Sequence, residues 1–75
     1  MDKIGIYTDE AGEFLVIETP SGIQYELIDD SNRLLVAGNK LEQPSVRINI
    51  RHLQPGSYLL KINYDGLTLY RRIEL

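Results

Sequence analysis

The chain has 75 residues, no Cys, no Trp, 43% hydrophobic residues and a net charge of −3 at neutral pH. That charge argues against a nucleic-acid partner, the missing thiols leave neither a disulfide staple nor a thiolate site, and no apolar run approaches the ~20 residues of a membrane helix. One small domain over residues 1–75 fits this length, burying roughly 60% of its unfolded surface, so a core yielding about 3–5 kcal/mol net must rely on packing and strand pairing alone.

No basic-then-apolar leader opens the chain, and so short a sequence without visible chemistry reads as a module of a larger protein. Lys3 to Tyr7 is short and alternating. Glu13 to Glu18 contains Phe14, Leu15, Val16 and Ile17, an apolar run expected of a strand covered on both sides or central in a sheet. Pro20-Ser21-Gly22 is a turn. Ile23, Tyr25 and Leu27 then alternate with Gln24 and Glu26 up to Asp29-Asp30-Ser31-Asn32, a cluster of turn formers in which Asn32 accepts a left-handed conformation. Arg33 to Ala37 is a strand ending at Gly38-Asn39, and Lys40 to Pro44 is loop, with Pro44 holding Gln43 extended.

Val46, Ile48 and Ile50 alternate with Arg47, Asn49 and Arg51, which places Arg47 and Arg51 on one face of one strand. In Leu53-Gln54-Pro55-Gly56-Ser57-Tyr58, Pro55 presets φ at the second turn position and Gly56 supplies the positive φ of the third position of a type II turn. A strand follows with Tyr58, Leu60 and Ile62 on one face. Asp65-Gly66 is a strong hairpin signal, and the last strand runs to Leu75.

Seven strands spaced roughly 8–12 residues apart, with no helical stripe, point to an all-β sandwich. The core faces read as Phe14 with Val16, Tyr25 with Leu27, Leu34 with Val36, Val46 with Ile48 and Ile50, Tyr58 with Leu60 and Ile62, and Leu67 with Leu69 and Ile73. Arg71 interrupts the last series, through a bulge or because the strand end runs past the core. Residues 1–30 carry eight acids and one base, and residues 31–75 seven bases and three acids. Cross-strand complementarity explains this, each opposite-charge pair contributing roughly 0.2–1 kcal/mol; a basic surface for an anionic partner is the rival explanation.

Catalysis is not expected. His52 is the one His, so no metal site or nucleophile pair can be assembled from it. Asp9 with Glu10, and Asp29 with Asp30, lack the alternate-residue spacing and central Gly of a calcium loop and read as solvated turns. No cofactor is implied. Tyr7, Tyr64 and Tyr70 are candidate surface aromatics.

Four segments taken together resemble the C-terminal sorting domain of the bacterial type IX secretion system. They are Tyr25-Glu26-Leu27-Ile28-Asp29, then Asn32-Arg33-Leu34-Leu35-Val36, then Leu53-Gln54-Pro55-Gly56-Ser57-Tyr58-Leu59-Leu60-Lys61-Ile62, then Arg71-Arg72-Ile73-Glu74-Leu75. The resemblance implies a seven-stranded immunoglobulin-like β-sandwich that directs an attached protein through the periplasm and across the outer membrane to the cell surface. It further implies recognition by an outer-membrane translocon and by a sortase-like surface protein that links ordinary cargo to anionic lipopolysaccharide. Gly56, for the turn, Tyr58, anchoring the strand, and Arg71, Arg72, Ile73, Glu74 and Leu75, as the readable tail, would carry partner binding.

The alternative is a retained immunoglobulin-like accessory module of a surface protein or secretion component. It would bind an anionic glycan through Arg47 and Arg51, or pack on a neighbouring protein. Exposed sheet edges also admit a strand-exchanged homodimer.

Overall fold

The structure, a computed structural model, describes residues 4–19, 22–40, 45–64 and 66–75. The expected turn at Pro20-Ser21, the loop from Leu41 to Pro44, and the Asp65 half of the last hairpin lie outside the described residues. Seven strands are present: β1 (Gly5–Thr8), β2 (Phe14–Glu18), β3 (Ile23–Asp29), β4 (Leu34–Lys40), β5 (Ser45–Asn49), β6 (Ser57–Tyr64) and β7 (Leu67–Glu74). There is no helix among the described residues. The strands form two antiparallel sheets, β1-β2-β5 and β4-β3-β6-β7. The fold is therefore all-β and two-layered, as the alternation of the sequence implies.

Leu15, Ile17, Ile23, Leu27, Ile48, Ile50, Tyr58, Leu60 and Ile62 form the buried core between the sheets. Each fully buried aliphatic side chain contributes roughly 1.5–3 kcal/mol relative to exposure. Tyr25, Val36, Val46, Leu69 and Ile73 pack around this nucleus, as expected.

Three core expectations are corrected. On β2 it is Leu15 and Ile17, not Phe14 and Val16, that enter the core. Val16 is nevertheless 3% exposed, flanked on the outer face by its cross-strand partners Tyr7 and Arg47, so β2 is central and covered on both sides. Leu34 is exposed because β4 carries a bulge: Leu27 pairs with Val36 but Ile28 pairs with Leu34, and the extra Leu35 turns Leu34 to the outer face. Leu67 opens β7 opposite Tyr64 and lies outside the packed region.

Other boundaries shift modestly. β4 does not stop at Gly38-Asn39 but continues to Lys40, since Tyr25 stands directly opposite Gly38 and its ring covers the missing side chain. Asn32 has φ 65°, the left-handed conformation expected of it, and its N–H donates to the Asp29 carbonyl at 3.0 Å. The reversal between β5 and β6 is closed by the Leu53 N–H donating to the Ile50 carbonyl, around Arg51 and His52. Gly56 has φ 154°, far from the ~80° of a type II turn's third position, so the Pro55-Gly56 type II turn is not formed.

The charge asymmetry resolves largely into complementary pairs. Asp9 meets Arg47 at 3.6 Å, Glu13 meets Arg51 at 3.7 Å, Glu26 meets Lys61 at 4.0 Å and Asp29 meets Arg33 at 3.0 Å. In each, an acid of the first 30 residues faces a base of the remainder.

Candidate functional site

The expected partner-binding residues gather at one corner of the four-stranded sheet, where β6 begins and β7 ends. Gly56 and Leu75 exchange both backbone hydrogen bonds, Gly56 N–H to the Leu75 carbonyl at 3.1 Å and Leu75 N–H to the Gly56 carbonyl at 2.9 Å. One step on, Ser57 Oγ donates to the Glu74 carboxylate at 2.8 Å. Tyr58 then stands opposite Ile73, Leu59 opposite Arg72 and Leu60 opposite Arg71, without a bulge. Five of the seven residues (Gly56, Tyr58, Ile73, Glu74 and Leu75) thus form one paired block, continued outward by Arg72 and Arg71.

Tyr58 explains why the corner holds its shape. Its ring lies in the core at 9% exposure while its Oη donates to the carbonyl of Gln54, four residues upstream. A tyrosine near the start of a strand that bonds back to the preceding backbone is the tyrosine corner found in Greek-key sandwiches. Its contribution is to fix the approach of residues 54–56 to β6. Sequence reasoning missed Ser57, whose only signal was its position directly before the tyrosine.

The Asp29–Arg33 turn lies beside this corner because β3 pairs with β6, bringing Asp29 opposite Tyr58. Asp29 Oδ1 accepts the N–H groups of Ser31 and Arg33, each at 2.9 Å, and Oδ2 accepts Arg33 Nε at 3.0 Å. The backbone bond from Arg33, followed by its guanidinium and the Ser31 N–H, holds the Asp29 carboxyl below the ordinary value. An open cleft of about 340 Å³ separates the turn from residues 52–58, with Arg33 and Leu35 on one wall and His52, Gln54 and Tyr58 on the other.

On β7 the two arginines face opposite ways. Arg72 Nε meets Glu74 Oε2 at 3.1 Å, on the outer face of the sheet. Arg71 has the parity of Leu69 and Ile73 and opposes the fully buried Leu60, yet is itself exposed. It needs no bulge because β7 is a sheet edge, where an inward-directed side chain reaches solvent from the rim.

Arg47 and Arg51 do not share a strand: Arg47 is on β5, whereas Arg51 lies in the turn beyond Asn49. The Arg47 guanidinium sits 4.6 Å from the Phe14 ring centroid and beside Asp9. Asp9 Oδ1 also accepts the Phe14 and Glu13 N–H groups, at 3.1 and 2.8 Å. These bonds, Phe14's foremost, and then the nearby Arg47 charge hold its carboxyl pKa below the usual carboxylate value. Both arginines are therefore already engaged by acids of the same chain.

No protein-family model and no curated protein matches the chain. Among the described residues no helix is long and apolar enough to cross a membrane, and no group of three or more His, Cys, Asp or Glu is placed to hold a metal ion.

Proposed function

We propose that the chain is a sorting domain of the type IX secretion kind, a non-catalytic module that directs an attached protein through the periplasm and across the outer membrane to the cell surface. What supports this reading most is the convergence of the motif pieces. The Asp29–Arg33 turn, the Gly56-Ser57-Tyr58 corner and the Arg71–Leu75 segment are separated in the chain yet adjacent at one end of a single sheet. A partner gripping that end would touch all of them at once.

The immunoglobulin-like character implied by the resemblance draws support from the three-plus-four strand arrangement and from the Tyr58 corner. Recognition would fall to an outer-membrane translocon and a sortase-like protein, with Gly56 and Tyr58 holding the corner rigid and Arg71 to Leu75 being read. The glycan-binding module is the weaker reading, since Arg47 and Arg51 each have an acid at ion-pair distance.

The test is a reporter enzyme fused ahead of the chain in a bacterium that runs type IX secretion. Surface delivery is expected with the intact domain, and periplasmic retention when residues 71–75 are deleted. Equal delivery of both fusions refutes the proposal.

A further inference from the structure

We infer that the β7 edge binds an extended peptide strand carrying an acidic side chain opposite Arg71, flanked two residues either side by apolar side chains. This deepens the reading of β7 as the recognised element and rests on it.

The backbone supplies half of the argument. The reciprocal Gly56–Leu75 bonds fix the antiparallel phase, so odd-numbered residues of β7 bond to β6, while Thr68, Tyr70, Arg72 and Glu74 direct their N–H and C=O groups away from it. β7 ends the strand order of its sheet, so these groups have no strand partner among the described residues. An added antiparallel strand would satisfy them, the mode by which sheet edges capture extended segments.

The side chains supply the other half. β1 ends the opposite sheet on the same side, and Ile4 and Ile6 line with Arg71, Arg72 and Ile73 an open seam of about 310 Å³. A strand laid on β7 would place alternate side chains into this seam. Opposite Arg71 the pairing is the non-hydrogen-bonded kind, in which side chains approach closest. No described acid forms an ion pair with Arg71, whereas Arg72 is engaged by Glu74. The seam therefore sets the apolar side chains of Ile4, Ile6 and Ile73 around Arg71, a positive charge that no described acid pairs. An added strand would lie opposite Leu69, Arg71 and Ile73 in turn, which is complementary to an apolar, acidic, apolar series at alternate positions.

A second copy of this chain does not fit. Two-fold antiparallel pairing of β7 with itself must join even-numbered residues to even-numbered ones, so Arg71 would face only odd-numbered residues of the other copy. Those are Leu67, Leu69, Arg71, Ile73 and Leu75, none of them acidic. The acid of β7, Glu74, is on the other face. Arg71 is thus an inward-pointing charge that penalises self-pairing, as protected edges commonly carry, while admitting a strand of opposite charge.

The test titrates the 75-residue chain with the peptide acetyl-Thr-Val-Thr-Glu-Thr-Val-Thr-amide and with its counterpart bearing Lys in place of Glu, following backbone amide shifts by NMR. Shifts are expected along residues 68–74 and at Ile4 and Ile6, with the Glu peptide binding roughly three- to tenfold tighter than the Lys peptide. Arg71→Glu is expected to reverse that order, and Arg71→Gln to abolish it. No saturable shift with either peptide, shifts centred elsewhere, or a preference unmoved by Arg71→Glu overturns the inference. So does concentration-dependent self-association through β7. Because the assay needs no secretion apparatus, failure here leaves the export result standing, and failed export leaves the peptide result standing.

Discussion

Gly56 and Leu75 close the open end of the β6–β7 ladder by exchanging both of their backbone hydrogen bonds. Gly56 does so at φ 154°, a conformation that side chains rarely adopt, although a Cβ there would meet no atom within 4 Å. The requirement for glycine is therefore one of backbone conformation, not of space.

Gly56→Ala is accordingly expected to destabilise the domain by about 1–3 kcal/mol, the cost of holding a non-glycine residue in a sparsely populated region. Urea denaturation would measure it. For a domain with only about 3–5 kcal/mol from its core, such a loss is a large share of the total. A change within about 0.5 kcal/mol, as for an ordinary surface substitution, would show that the conformation carries no strain.

Gly38 presents the opposite case. A Cβ there would stand 2.8 Å from Tyr25 Cζ and 2.5 Å from its Oη, while its φ is unexceptional. Gly38→Ala must displace the Tyr25 ring, which packs on the core, and is expected to cost about 1–3 kcal/mol as overpacking does. Pairing it with Tyr25→Ala in a double-mutant cycle should give a strong coupling, because the clash vanishes with the ring. Additive effects would contradict this account.

Acid should unfold the domain partly through Asp9 and Asp29. Both carboxyls are held below their ordinary value, by the Phe14 and Arg33 backbone N–H groups respectively before any other cause. A folded value below the unfolded one, near 3.9, means that the stabilisation is fully present above about pH 4 and is lost as pH falls through the folded value. Asp9→Asn with Asp29→Asn should lower the melting temperature at neutral pH, and the gap from the parent chain should close at acid pH. Circular dichroism melts across a pH series would test this, and a gap of constant size would contradict it.

Strand number, order of turns and most of the core were legible from two-residue alternation, which held wherever one face was wet. It failed on β2, where Phe14 to Ile17 are all apolar and periodicity cannot choose a face. It failed again at Leu34, because a bulge inserts one residue and reverses every side chain beyond it. The Pro55-Gly56 dipeptide signalled a turn, but Ile50 and Leu53 close the reversal instead. Gly56, Tyr58 and the 71–75 segment could be singled out from the sequence. That they form one block with Ser57 and Glu74 depends on strand register, which residue types alone do not encode.

The doubly covered β2 has a kinetic corollary. With Leu15 and Ile17 sealed on one side and Val16 on the other, the middle strand of the small sheet has no face from which water can begin to separate it. Its neighbour β1 has only four paired residues, two of them exposed. Opening should thus be hierarchical, β1 peeling away long before β2 and β5 part, so that solvent deuterons would label Tyr7 and Val16, whose amides face each other across β1 and β2, while Leu15 and Ile17, bonded to β5, still kept their protons.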